Sequence, residues 1–121
     1  MTDAATIADR YIAVWNEADP ARRRDLLASG WAEDATYRDP LMQGRGHGEI
    51  DGLIAAVQAR FPGWRFALAG RPDGFADHVR FSWELGPEDG ERPIGGTDFA
   101  VLDGGRLKVV TGFLDKVPAG A

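Results

Sequence analysis

Two aspartates stand out for what their neighbours do to them. Asp39 precedes Pro40 in the stretch WAEDATYRDP, Trp31 to Pro40, which joins a helix-rich N-terminal third to a strand-rich C-terminal half. Proline's ring disfavours the helical region for its predecessor, so Asp39 is held extended and its carboxylate sits on a fixed backbone. Such a group is a candidate for a catalytic or ligand-contacting role. The plainer alternative is that it caps the glycine-rich loop LMQGRGHG that follows, a common job for Asp at a turn. Asp98 lies mid-strand in GGTDFAV, on the face of Ile94, Ala100 and Leu102, with Phe99 and Val101 opposite. Both faces are mostly apolar, so burial is expected. A buried carboxyl avoids an unpaired charge by keeping its proton or by finding a partner. With its proton it can donate a hydrogen bond to a developing oxyanion; otherwise it is a structural acid bonded to a backbone N–H or an Arg. Gly95 and Gly96 beside it would allow a ligand close to the backbone.

The elements that must position these acids follow from periodicity. Thr2 or Asp3 caps a first helix, in which Ile7, Ala8, Tyr11, Ile12, Val14, Trp15 and Ala18 recur at helical spacing. The Tyr11 hydroxyl is the one polar tip on that apolar face. Asp19-Pro20 opens a second, short helix to about Ser29, with Leu26 and Leu27 inward. A short strand is expected around Thr36 to Asp39. A third helix begins near His47 or Gly48, with Ile50, Leu53, Ile54, Val57 and Phe61 at i, i+3, i+4, i+7 and i+11. From Trp64 the period becomes two. Trp64, Phe66 and Leu68 alternate with Arg65, Ala67 and Ala69; Phe75, Val79, Phe81, Trp83 and Leu85 alternate with His78, Arg80, Ser82 and Glu84. A strand from Arg92 to Leu102, a hairpin turn at Asp103-Gly104-Gly105 and a last strand from Arg106 to about Asp115 complete the chain, the last with Leu107, Val109 and Phe113 on one face. Helices first and an antiparallel meander last is an α+β order. A strongly twisted sheet with the helices across its concave side would enclose an apolar pocket. Trp15, Tyr37, Phe61, Phe81 and Trp83 are candidates for its wall, though aromatics at these spacings are core residues first. His47, at the start of the third helix, is a candidate ligand contact, with a helix-start or loop role as the plainer reading.

Composition narrows the function classes. The 121 residues fit one domain, able to bury a core without staples. The net charge is −5, and the only basic cluster, Arg22 to Arg24, reads as the solvated face of a helix, so nucleic acid is a poor partner. No cysteine is present, which excludes disulfides and thiol nucleophiles. Two His without a carboxylate pattern do not make a metal site. No apolar run is long enough for a membrane span and MTDAATIADRY lacks a signal pattern, so a cytoplasmic location is expected by default.

DRYIAVWN, WAEDATYRDP, GHGEI and GTDFAVLDGGRLKVVTGFLD, in this order and spacing, resemble the nuclear transport factor 2-like superfamily, and within it the SnoaL-like polyketide cyclase and ketosteroid isomerase branch. The resemblance covers almost the whole chain and implies one cone-shaped domain over residues 1–121: a strongly curved, mostly antiparallel sheet with three helices on its concave side. It implies a cofactor-free enzyme, an isomerase or a cyclase, acting on an apolar carbonyl compound, or a non-catalytic binding or dimerisation module of the same fold. By the isomerase pattern Asp39 is the base, and Tyr11 with a protonated Asp98 holds the enolate. The isomerases support that Tyr with another on the third helix, where Ile54 stands here. By the cyclase pattern the acid lies on the sheet, where Asp98 would serve with His47 or His78. The limonene epoxide hydrolases place an Arg two residues before the strand Asp; Gly96 stands here, so that activity is set aside. The resemblance also implies a homodimer formed through the sheet face away from the helices, where Phe99, Val101 and Val110 stand beside Arg80 and Lys108.

Overall fold

A computed structural model describes residues 3–118. Within them the order is α1 (Ala4–Asn16), α2 (Pro20–Gly30), β1 (Trp31–Arg38), β2 (Gln43–Arg45), α3 (Gly46–Arg60), β3 (Trp64–Phe75), β4 (His78–Pro87), β5 (Ile94–Asp103) and β6 (Arg106–Lys116). Asp3 caps α1 by accepting from the Thr6 N–H, and Asp19 caps α2 from the Arg22 N–H with Pro20 at the first turn. Thr2, the other expected cap, lies outside the described residues. The side chain of Arg45, which precedes α3, makes no capping bond; Glu49 reaches back from the first turn to the Arg45 N–H at 2.8 Å. The Gly104-Gly105 turn, with both φ positive, closes the last hairpin and needs glycine for that reason.

The strands form one sheet in the order β2-β1-β6-β5-β4-β3. All neighbours are antiparallel except β1 and β6, which run parallel. This crossover returns the last strand to the middle of the sheet, beside the strand that leads to Asp39. The sheet curves around the helices, with register breaks in β1 between Trp31 and Thr36, in β3 between Ala69 and Asp73, and between Val101 and Leu102 opposite Lys108. Bulges of this kind bend a strand and increase its twist. Val79, Phe81, Trp83 and Leu85 of β4, Ala100 and Leu102 of β5, and Leu107 and Val110 of β6 are buried with Ala8, Tyr11, Val14 and Trp15 of α1 and Ile50 and Ile54 of α3.

Local expectations are corrected in three places. The strand expected at Thr36–Asp39 begins at Trp31, because β6 supplies a parallel partner far away in sequence. Leu107 does not share a face with Val109 and Phe113: the bulge at Lys108 turns it inward, and Val110 likewise faces the core rather than the outer surface. Arg23 is not solvated. It is 3% exposed, and its guanidinium bonds Asp51 Oδ1 at 2.5 Å, the Glu17 carbonyl at 2.9 Å and Gln58 Oε1 at 3.2 Å, which ties the end of α1 to α2 and α3. A buried charge persists only when paired in this way.

Candidate active site

The inner face of β5 presents Asp98 to the helices. It is 1% exposed, opposite Phe81 on one side and Gly112 on the other. The Tyr11 hydroxyl, entering from α1, donates to Asp98 Oδ2 at 2.5 Å. Asp98 Oδ1 is buried with no hydrogen-bond partner. Burial pushes the Asp98 pKa up to about 6; the Tyr11 and Trp83 donors oppose the rise, and the charges of Asp39 and Asp115 add to it. Burial, then the adjacent Asp98, also raises the Tyr11 phenol well above its ordinary range.

A second pair stands beside the first. Tyr37 and Asp39 are two residues apart on β1 and its continuation, hence on one face. The Tyr37 hydroxyl donates to Asp39 Oδ2 at 2.6 Å. Asp39 Oδ1 accepts from the Leu41 and Met42 N–H groups at 2.8 and 3.0 Å, while the Asp39 N–H donates to the Met42 carbonyl at 2.9 Å. Asp39 therefore caps its turn and faces the interior at once. The Tyr37 phenol is raised by burial first, then by Asp98 and by its bond to Asp39, while the Tyr11 hydroxyl acts on it in the opposite direction. Two phenols and two carboxyls thus form one electrostatic group. A second phenol, Tyr37, stands on β1 rather than on the third helix, and it bonds Asp39 and not Tyr11.

Gly112 is where the two pairs meet. A Cβ on this residue would stand 2.7 Å from Asp98 Oδ1, 3.3 Å from Asp39 Cβ and 3.5 Å from the Tyr37 hydroxyl oxygen. The absence of a side chain lets both acids face the same point. Gly112 carries the same sequence signal as Gly95 and Gly96, a glycine inside a strand pattern that marks a close approach. Those two glycines admit side chains, not a ligand: the Trp83 indole fills the space over Gly96, and the Lys116 stem that over Gly95.

The remaining candidates are distributed around this centre. Trp15 is buried, with its ring 6.1 Å from Tyr11 and 5.5 Å from both Tyr37 and Phe66. Phe81 meets the Tyr11 ring edge-on at 4.8 Å, and Trp83 meets Phe66 at 5.2 Å. Phe61, at the end of α3, stacks on Trp64 at 4.9 Å under the Arg60 guanidinium. His47 Nε2 bonds the Trp31 carbonyl at 2.9 Å, and exposed His78 lies 3.3 Å from Asp77 and stacks on Phe75. Both rings are engaged away from Asp98. Among the described residues no group of three or more His, Asp or Glu is placed to hold a metal ion, and no helix is long and apolar enough to cross a membrane.

Folded Asp98 keeps its proton up to about pH 6, against 3.8 for the ordinary group. The folded state therefore binds more protons between these values, and stability falls as pH rises through that window. The charge costs about 3 kcal/mol above it. Urea unfolding between pH 4 and 7.5 should show Asp98→Asn gaining on the parent by about this amount as pH rises; a constant difference would contradict the raised pKa. Gly112→Ala should lower stability by about 1–3 kcal/mol, because Asp98 must move off a backbone that cannot yield; an unchanged denaturation midpoint would show that the carboxyl relocates freely.

The model of the SnoaL-like domain matches residues 8–110. No curated protein matches the chain. Among solved structures, the chain is similar to a SnoaL-like protein from Agrobacterium tumefaciens proposed to be an isomerase, with 51% identity, coverage of 95% of this chain and 99% of that one, and a TM-score of 0.90. It is similar in fold to a protein from Kribbella flavida proposed to be a ketosteroid isomerase, at 22% identity, 96% and 80% coverage and a TM-score of 0.70. A Sinorhizobium meliloti protein proposed to be a polyketide cyclase matches at 15% identity, 88% and 93% coverage and a TM-score of 0.69. With a domain model matched over most of its length and a half-identical relative aligned nearly end to end, this chain belongs to the SnoaL-like family of the nuclear transport factor 2-like superfamily.

Proposed function

We propose that the chain is an enzyme that performs cofactor-free acid–base chemistry on an apolar carbonyl compound. The observation that carries this reading is the meeting of two carboxyls of unlike environment at Gly112: Asp98, buried and raised, and Asp39, half-exposed and held by three donors. Environments that separate two acids in this way also separate their roles. Asp39, carrying the charge, takes a proton from the carbon next to the carbonyl. The electron pair moves onto the carbonyl oxygen, and the Tyr11 hydroxyl and protonated Asp98 donate to it. Return of the proton to another carbon is isomerisation; attack of the enolate carbon on a second carbonyl closes a ring. Half-buried Met42, Leu53, Phe61 and Phe66 supply apolar surface for the ligand frame.

The alternative within the same fold is a binding module without turnover. It draws support from the three donors already on Asp39, which occupy the lone pairs that a base would offer to a substrate proton. One experiment separates the two. Thermal melts against steroid ketones, phenolic enolate mimics and aromatic polyketides should give a shift of roughly ten degrees at one hundred times the dissociation constant. Turnover of the stabilising carbonyl compounds should then fall at least ~100-fold in Asp39→Asn. Full activity in that variant would remove Asp39 as base; binding without turnover in the parent would favour the module.

A second copy of the chain is the proposed partner. The outer sheet face carries Phe99 and Phe113, 44% and 54% exposed and edge-to-face at 5.8 Å, with Val109 beside them. Cavities of about 440 and 520 Å³ indent this face between the Asp73–Arg80 pair and the Arg38–Arg45 edge. An apolar patch of this kind on a small chain suits an isologous contact. Light scattering at micromolar concentration should give twice the 13.1 kDa of one chain, and Phe99→Asp should give a monomer; a monomeric parent removes the dimer.

A further inference from the structure

Tyr11 and Trp15 are one helical turn apart on the buried face of α1. Helical side chains lean back toward the N-terminus, which carries the Trp15 indole over the turn that holds Tyr11. Trp15 is 4% exposed, and its Nε1–H has no acceptor. The Tyr11 and Trp15 rings are 6.1 Å apart, tilted by 41°. Asp98 Oδ1, on the carboxyl that Tyr11 bonds, is also unpartnered. An idle buried donor and an idle carboxyl oxygen thus flank one short hydrogen bond. Buried polar groups are rarely left in this state without an occupant to complete them.

We propose that Trp15 is a third donor of the oxyanion site, its indole N–H sharing one ligand oxygen with Tyr11 and with Asp98 in its protonated form. The proposal rests on the acid–base reading and narrows it: the substrate is a carbonyl compound whose enolate oxygen lies beside a flat apolar or aromatic frame. Trp15 is then a catalytic residue rather than a wall.

The chain has four Trp, so indole-¹⁵N labelling gives a small set of N–H signals. Trp15→Phe keeps an aromatic ring and identifies the Trp15 signal. Titration with 4-nitrophenol and less acidic phenols should move that signal downfield. Trp31, also unpartnered but stacked on the Tyr11 ring, serves as the internal comparison and should move less. Trp15→Phe should bind the phenols about ten-fold more weakly, the effect of one lost hydrogen bond. If Trp15→Phe does not fold, Phe variants of the other three Trp assign the signal by elimination and the parent titration decides. Phenol binding with an unmoved Trp15 signal, or with equal affinity in Trp15→Phe, overturns the donor role and leaves the acid–base reading standing. Phenols that shift neither the indole signals nor the melting temperature overturn both.

Discussion

The inner half of this molecule depends on one constraint: a carboxyl removed from water must be solvated by the protein. Asp98 sits on the central strand β5 with almost no exposure, and the fold answers with the Tyr11 hydroxyl on one oxygen. The other oxygen is left against Gly112, where only a missing side chain makes room. That answer is incomplete, and so the carboxyl clings to its proton to about pH 6. A fully satisfied carboxylate would be a better structural element, but it would not hold its proton to so high a pH. The position of α1 across β3 and β4, the glycine in β6 and the aromatic packing of Phe81 and Trp83 around the acid all serve this one group.

The second constraint is the parallel pairing of β1 with β6. It brings Tyr37 and Asp39, from the first half of the chain, beside Gly112 from its end. Without it the two acids would be distant groups in separate elements. Asp39 then differs from Asp98 in each relevant respect: half-exposed rather than buried, held by two backbone N–H groups and a phenol rather than by one phenol. The same sheet has a different character on its outer side, where Phe99, Val109 and Phe113 remain exposed among charged and hydroxyl side chains. Ser82, Thr97 and Asp115 form a hydrogen-bonded row there, at 2.8 and 2.6 Å.

Periodicity alone determined much of this. The apolar faces of α1 and α3, the alternation in β4 and β5, the Asp19-Pro20 start of α2 and the double-glycine hairpin are local patterns with local causes, and each is present at its expected place. The face that Asp98 shares with Ile94, Ala100 and Leu102 belongs with them, because the period of a strand is two; which of two mostly apolar faces meets the helices does not. What the tertiary structure decided is everything that needs two distant segments at once. The start of β1 at Trp31 waits on β6; the inward turn of Leu107 waits on a bulge; the burial of Arg23 waits on Asp51 in another helix. The bond from Tyr11 to Asp98 spans 87 positions, and the convergence at Gly112 joins β1, β5 and β6. Sequence spacing carries the direction of a side chain within its own element, but not the distance to another, and the chemistry of paired acids is set by that distance.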